Sequence, residues 1–421
     1  MSYAARPADG SATGLQPSNA GRILAPDLAR GMMLLFIAVA NVSVYLWGRQ
    51  TPEYSVHPVG EGPLDTALST IAIVFVDGHV YPMFAFLFGY GITQFAYSRI
   101  ARGVAPESVG RMLLRRHLWM LLFGAVHALL LFSGDILGAY ALTGLALAAL
   151  LLRGGERLIR TLLWVIGGVC AGFMLLGALA LLVFGMLVPP ELMQTPPELE
   201  ASLPGTADLM AGIENFWLAM AARIGLWIVS SIGAVLSLII PFAVLLGGLA
   251  ARHRWLEGLS PRMPLPAVAA AGIAIGALGS LPSALVHLQI LPENLLIAMG
   301  WTIVAQLCGV AGGIGYAALF ALIGLRAGAA ANPVVGAIAA VGKRSLSFYL
   351  LQSIVFAPLL SAWGFGLGAD LGTGGAYLLA LGVWLLSIAL AVWLERTGRR
   401  GPAEAVLRGL TYGREDAARP V

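Results

Sequence analysis

Along this chain, run after run of apolar residues long enough to cross a bilayer ends at a loop that carries arginine. A helix needs about 20 such residues to span the hydrocarbon core. Lipid offers no partner to a backbone N–H or C=O, so such runs fold as helices that satisfy their own hydrogen bonds and pack together. The expectation is an all-α, polytopic integral membrane protein with about ten transmembrane helices. The spans are expected at Met32 to Trp47, Tyr81 to Ser98, Met112 to Phe132, Ile136 to Leu152, Thr161 to Leu187, Leu226 to Ala250, Pro266 to His287, Trp301 to Leu325, Ser345 to Trp363 and Tyr377 to Trp393. Leu64 to Val76 and Ala207 to Met220 are short or mixed in polarity and are expected as interfacial or re-entrant helices.

Composition supports this class. Hydrophobic residues make up 59% of the chain and charged residues 11%, against about 25% charged in soluble domains. The expected surroundings are lipid, in the inner (plasma) membrane, with no nucleic-acid partner. Glycines number 53 without a collagen period, which suits helices whose backbones approach closely and permits a homodimer. Cys170 and Cys308 lie in apolar runs and are expected as buried free thiols.

Charge placement orients the spans. With a cytosolic N-terminus, all of the 25 Lys and Arg residues except Arg49 and Arg223 fall on cytosolic segments, as the positive-inside rule requires. An odd number of spans would invert the later loops and spoil that asymmetry. Both termini are therefore expected in the cytosol. Residues 1–25 read as a disordered tail, 26–400 as one transmembrane domain and 401–421 as an amphipathic tail that lies on the inner surface or caps the cytosolic mouth. The Pro-rich, acidic segment from Val188 to Asn215 is an outside loop, either a cover or a connector.

Ionisable groups within spans are the candidate functional residues, because an unused one costs free energy in lipid. Arg116 and His127 are separated by roughly 1100° of helix, about 20° from one face, and by a rise of about 16 Å. That face carries a cation near one boundary and a base near the other, and the span leads out to Asp135. Arg30 and Asn41 repeat the spacing on the first span, where Asp27 can pair with Arg30 across one turn. The bland reading makes Asp27 and Arg30 interfacial anchors and Asn41 an interhelical hydrogen bonder. Asp77 and His79 precede the second span, as a carboxylate orienting an imidazole or as two solvated residues. Gly89 and Gly91 offer close packing within that span.

Lys343 and Arg344 open the ninth span, facing an anionic ligand or anionic lipid, while Tyr349, Gln352 and Ser353 invite interhelical hydrogen bonds. In the tail, Glu404 can pair with Arg408. His57, His117, His253 and His287 are expected to be solvated or interfacial. No His/Cys spacing suggests a metal site, and none is expected.

Taken together, D-L-A-R-G with Asn41, Y-P-M-F-A-F-L-F-G-Y-G, the R-R-H…H-A-L-L-L-F-S-G-D-I-L run, G-K-R-S-L-S-F-Y-L-L-Q-S and the closing G-P-A-E…R-G-L-T-Y-G resemble the YeiB-like bacterial membrane proteins. Those proteins end in a domain of unknown function, and the match spans nearly the whole chain. They often carry Lys or Arg two residues before the Y-P pair, where this chain has His79. More distantly, the D-x-x-R-G start is similar to that of the transmembrane acyltransferases, including heparan-α-glucosaminide N-acetyltransferase. This resemblance implies an enzyme that passes an acyl group from cytosolic acyl-CoA to a small-molecule or glycan acceptor outside.

On that analogy, Arg30, Arg115, Arg116, Lys343 and Arg344 are expected to hold the phosphates of acetyl-CoA or another acyl-CoA at the cytosolic mouth. His127 is the expected general base or transient acyl carrier, Asn41 the oxyanion donor, and Asp135 the group that orients the base or binds the acceptor. Asp77 and His79 are expected at the acceptor. Asp27, Gly89, Gly91, Gln352, Glu404 and Arg408 are expected to be structural. The rival class is a transporter or exporter of a small anionic metabolite along the same cations, and a third is a noncatalytic membrane scaffold.

Overall fold

The computed structural model describes residues 24–52, 54–189, 205–260, 263–291, 294–327 and 332–417. Its regular elements are helices: α1 Leu24–Val42, α2 Pro63–Phe75, α3 Val80–Ala101, α4 Pro106–Leu130, α5 Leu137–Arg153, α6 Glu156–Leu187, α7 Thr206–Ala211, α8 Phe216–Leu236, α9 Ile239–Arg252, α10 Leu265–His287, α11 Leu295–Ala327, α12 Pro333–Gly342, α13 Ser345–Leu360, α14 Thr373–Arg396 and α15 Pro402–Ala417. Among the described residues, eight helical stretches are long and apolar enough to cross a membrane, with α2 and α3 forming one of them. A ninth arises if α12 and α13, bent by 80° at Lys343 and Arg344, count as a single span. The molecule is a multi-pass membrane protein.

Two of the ten expected spans account for the lower count: Ile136 to Leu152 forms α5, of only 17 residues, and Ser345 to Trp363 forms α13, which qualifies only together with α12. Other runs depart from expectation locally. The run from Leu226 to Ala250 is two helices, because the backbone turns at Leu238 (φ 64°) between α8 and α9. Uniform apolarity hides such a break. The signal for it is Pro241, which sits in the first turn of α9, where a missing N–H is tolerated. Ala207 to Met220 is likewise divided between α7 and the start of α8. The expected disordered tail falls on residues 1–23, outside the described residues, whereas Leu24 and Ala25 already belong to α1. Most of the acidic outside loop, 190–204, also lies outside them.

α1 is the axis of the bundle. Ala29, Met33, Leu34 and Ala38 are fully buried, and neighbouring helices hydrogen-bond its backbone. Trp384 of α14 donates to the Gly31 carbonyl at 2.9 Å and Gln352 of α13 to the Leu34 carbonyl at 2.7 Å. α3 and α9 pack backbone to backbone: a Cβ on Gly89 would lie 2.0 Å from the Val244 carbonyl oxygen, and one on Gly247 would lie 1.9 Å from that of Phe86. α6 and α8 form the rim. Trp164 and Phe173 on α6 are 83% and 80% exposed, which in a membrane protein means contact with acyl chains.

The arginine-rich loops gather at one end, here the basic end. There Arg252 donates to the Leu151 carbonyl, His253 meets Glu156, Arg344 meets Glu395, and α15 packs under α4 and α13. Helix α15 thus packs across the basic end of the bundle. Glu404 has a different partner from the one expected: its carboxylate accepts from the Leu346 and Ser347 N–H groups and the Ser347 hydroxyl, capping α13. Arg408 lies over the Tyr412 ring.

Candidate active site

Two features adjoin in the middle of the bundle: a cavity reaching up from the basic end, and a buried histidine–carboxylate pair beyond its top. The pair comes from the end of α4 and the turn into α5. His127 Nδ1 donates to Asp135 Oδ1 at 2.8 Å, and both side chains are almost wholly buried. Asp135 accepts three more hydrogen bonds, from Tyr349 Oη at 3.2 Å, Trp227 Nε1 at 3.2 Å and the Gly138 N–H at 3.1 Å. Donors from α4, α5, α8 and α13 thus converge on one carboxylate, which compensates its burial.

That arrangement fixes the imidazole. With Nδ1–H committed to Asp135, the neutral ring presents Nε2 as an acceptor. Nε2 is buried and has no hydrogen-bond partner among the described residues. A base so oriented, with its second nitrogen unused, is what general-base chemistry requires.

The cavity has a volume of about 1060 Å³, at the upper end of the ~300–1,000 Å³ typical of ligand sites. Arg30, Arg102, Arg116, Arg254 and Lys343 line it, against the carboxylates Asp27, Glu257 and Glu404. Phe84, Leu87, Phe88 and Met120 form an apolar middle, and the upper wall is Ile136, Leu137 and Tyr349. His127 itself does not line it. Tyr349 stands between, its hydroxyl donating to Asp135 and accepting from the Ile136 N–H at 3.3 Å. His127 and Tyr349 are in edge contact, with ring centroids 5.2 Å apart.

Arg30, Arg116 and Lys343 converge on the cavity. Arg30 hydrogen-bonds Asp27 and the Leu87 carbonyl and faces Gly91, where a Cβ would sit 3.0 Å from its guanidinium. Arg116 keeps Nε buried without a partner among the described residues. Lys343 also pairs with Glu395 at 2.6 Å.

Two cations expected with them lie elsewhere. Arg115 is exposed and absent from the lining, because it shares the outer face of α4 with the exposed Leu114 and Leu118. Arg344 is 6% exposed and spends its guanidinium on Glu395, the Arg399 carbonyl and the Ala340 carbonyl, tying the α12–α13 bend to α14. Asn41 is half-buried outside the lining, with no hydrogen bond to His127 among the described residues. The matched stripes therefore bring together their cations but not their far ends.

The histidines also differ from expectation. His79 is 1% exposed, not at headgroup level, because Gly276 and Gly312 make room for its ring: a Cβ on either would come within 2.4 or 2.0 Å of it. Its Nδ1 meets the Asp77 carbonyl at 2.6 Å, while the Asp77 carboxylate meets His57 Nε2 at 2.6 Å. His57, His117 and His287 are buried as well, leaving His253 exposed.

Sequence reasoning missed Arg102, Arg254, Trp227 and the placement of Tyr349. Trp227 lies 92 residues from Asp135, and only the fold joins them. Arg102 and Arg254 stand at helix ends and turns that read as ordinary basic boundary. Among the described residues, no group of three or more His, Cys, Asp or Glu could hold a metal ion.

Comparison with known proteins finds similarity to a family model and to uncharacterized bacterial proteins. Residues 250–414 match the model for "Protein of unknown function (DUF418)". The chain is 28% identical to the uncharacterized protein YeiB of Escherichia coli (strain K12) over 404 residues, covering 91% of this chain and 95% of that protein. It is 30% identical to the uncharacterized protein YxaH of Bacillus subtilis (strain 168) over 142 residues, 32% of this chain and 34% of that protein. The matched domain contains Arg254, Lys343, Tyr349 and Glu404 but not Arg30, Arg116, His127 or Asp135. Both parts of the chain are needed to build the cavity and the pair above it.

Proposed function

For a YeiB-like membrane protein with a DUF418 domain, we propose that it is a membrane-embedded acyltransferase, taking an acyl group, in the first instance acetyl, from acyl-CoA at the basic end. The single observation that carries this reading is the cavity itself, lined by cations at one end and closed at the other by Tyr349, one hydrogen bond from the His127–Asp135 pair. In this reading the basic end faces the cytosol, about ten spans place both termini there, and the membrane is the inner one.

A polyanionic, extended donor suits this shape. Arg30, Arg116 and Lys343, joined by Arg102 and Arg254, would hold its phosphates as charge-assisted hydrogen bonds. Its arm would lie along Phe84, Phe88 and Met120, with the thioester beneath Tyr349. His127 Nε2 would take the proton of the acceptor's hydroxyl or amine as that atom attacks the thioester carbonyl. The C–S bond then breaks, and the thiol leaves with a proton. Asp135 would stabilise the imidazolium that forms, and Tyr349 would have to shift its ring to open the His127 side to the cavity.

The test is transfer of labelled acetyl from acetyl-CoA to a bacterial envelope extract by the protein in liposomes. Wild type is expected to label a product. His127→Ala is expected to lower the rate by about 10²–10⁴, the usual contribution of a general base. Equal rates for the variant, or flux of an anion with no acyl donor present, would defeat the reading and favour a transporter.

A further inference from the structure

A second cavity, of about 290 Å³, lies at the opposite end of the bundle among the segment before α2 and helices α2, α7, α10 and α11. Its lining includes Asp77, Ser283, His287, Thr302 and Gln306. It shares no lining residue with the large cavity, and the acyl-transfer reading gives its lining histidine, His287, no role.

What distinguishes it is an exposed carboxylate beside buried polar atoms that lack partners among the described residues. Asp77 Oδ2 takes the His57 Nε2–H, while the carboxylate remains 30% exposed and is the one formally charged side chain in the lining among the described residues. In the neutral tautomer that makes this bond, His57 Nδ1 is an acceptor, and it is buried without a partner among the described residues. His287, 5% exposed with its ring 6.2 Å from that of His57, has an equally unpartnered Nδ1. The Ser283 hydroxyl adds a third buried polar atom without a partner. Buried polar atoms in native proteins are normally satisfied, so unpartnered polar atoms beside a cavity that carries one exposed carboxylate call for a polar, cationic occupant.

We infer that the cavity lined by Asp77 and His287, with His57 hydrogen-bonded to Asp77, is a binding site for a small molecule bearing a primary amine in its ammonium form. An ammonium group has three donors and one positive charge. It matches the exposed Asp77 carboxylate and can donate to an unpartnered lining atom such as His287 Nδ1, where a neutral hydroxyl offers one donor and no charge. The volume lies at the lower edge of the ~300–1,000 Å³ range of ligand sites and readily admits a small amine. The inference is independent of acyl transfer, since a transporter or scaffold would retain the same site.

Melting of the purified protein in detergent tests it, with ethanolamine as the probe and ethylene glycol as the uncharged control, because a ligand of the folded state raises apparent stability. Ethanolamine is expected to give a saturable rise of several degrees, absent with ethylene glycol and lost in Asp77→Asn. Thr302→Leu fills the cavity from its α11 wall and leaves the His57–Asp77 pair in place, and is expected to abolish the rise even if Asp77→Asn fails to fold. A stabilisation by acetyl-CoA, read in the same experiment, is expected to survive both changes. No rise with ethanolamine, an equal rise with ethylene glycol, or a rise that persists in Thr302→Leu would overturn the site.

Discussion

Asp135 is held by donors from four helices, so its neighbours can be removed one at a time to separate orientation from chemistry. Tyr349→Phe deletes one of the four hydrogen bonds and keeps the ring against His127. The expected loss is about 0.5–1.5 kcal/mol, or up to roughly tenfold in acetyl transfer, with little change in apparent affinity for the donor. Asp135→Asn is expected to cost more, because an amide in that position can present an N–H to Nδ1 and reverse the tautomer. Arg116→Ala should act in the opposite sense on the two constants, weakening donor binding with the rate at saturation retained. Steady-state kinetics on the three variants checks all of this. Arg344, by contrast, is structural: Arg344→Ala removes contacts to Glu395 and two carbonyls and is expected to lower thermal stability by about 1–3 kcal/mol without affecting the donor constant more than tenfold.

At the scale of the element, the informative features are a break, a cap and a close approach. The 80° bend between α12 and α13 brings Lys343 to the cavity and turns Arg344 away from it, so two adjacent cations that look alike in sequence have different work. Glu404 caps α13 from the last helix, and Glu404→Ala is expected to cost about 1 kcal/mol, seen as a lower melting temperature. Gly89→Leu would drive a side chain into the α9 backbone and is expected to cost at least the ~1–3 kcal/mol of overpacking, seen as poor yield of monodisperse protein. The apolar spans, the cation stripe through Arg30 and Arg116, and the nearness of His127 to Asp135 across a short turn are legible in the sequence, because each is local and periodic. The α8–α9 break and the burial of His57, His79 and His287 are not: uniform apolarity masks the first, and for His79 the room is made by glycines on distant helices.

Across the whole molecule, a basic end, an apolar rim and two cavities at opposite ends give the chain a direction. Single cysteines at positions 102 and 254 are expected to react with a membrane-impermeant maleimide from the cytosolic side, and one at position 49 from the outside. In the proposed reading the large cavity receives acyl-CoA through Arg30, Arg116 and Lys343. The most direct measurement is the melting temperature of the purified protein with saturating acetyl-CoA, with free CoA and ATP as controls. A rise is expected with acetyl-CoA and with CoA, little with ATP, and loss of the rise in Arg116→Ala. No shift with acetyl-CoA in monodisperse wild-type protein, or an equal shift in Arg116→Ala, would contradict it.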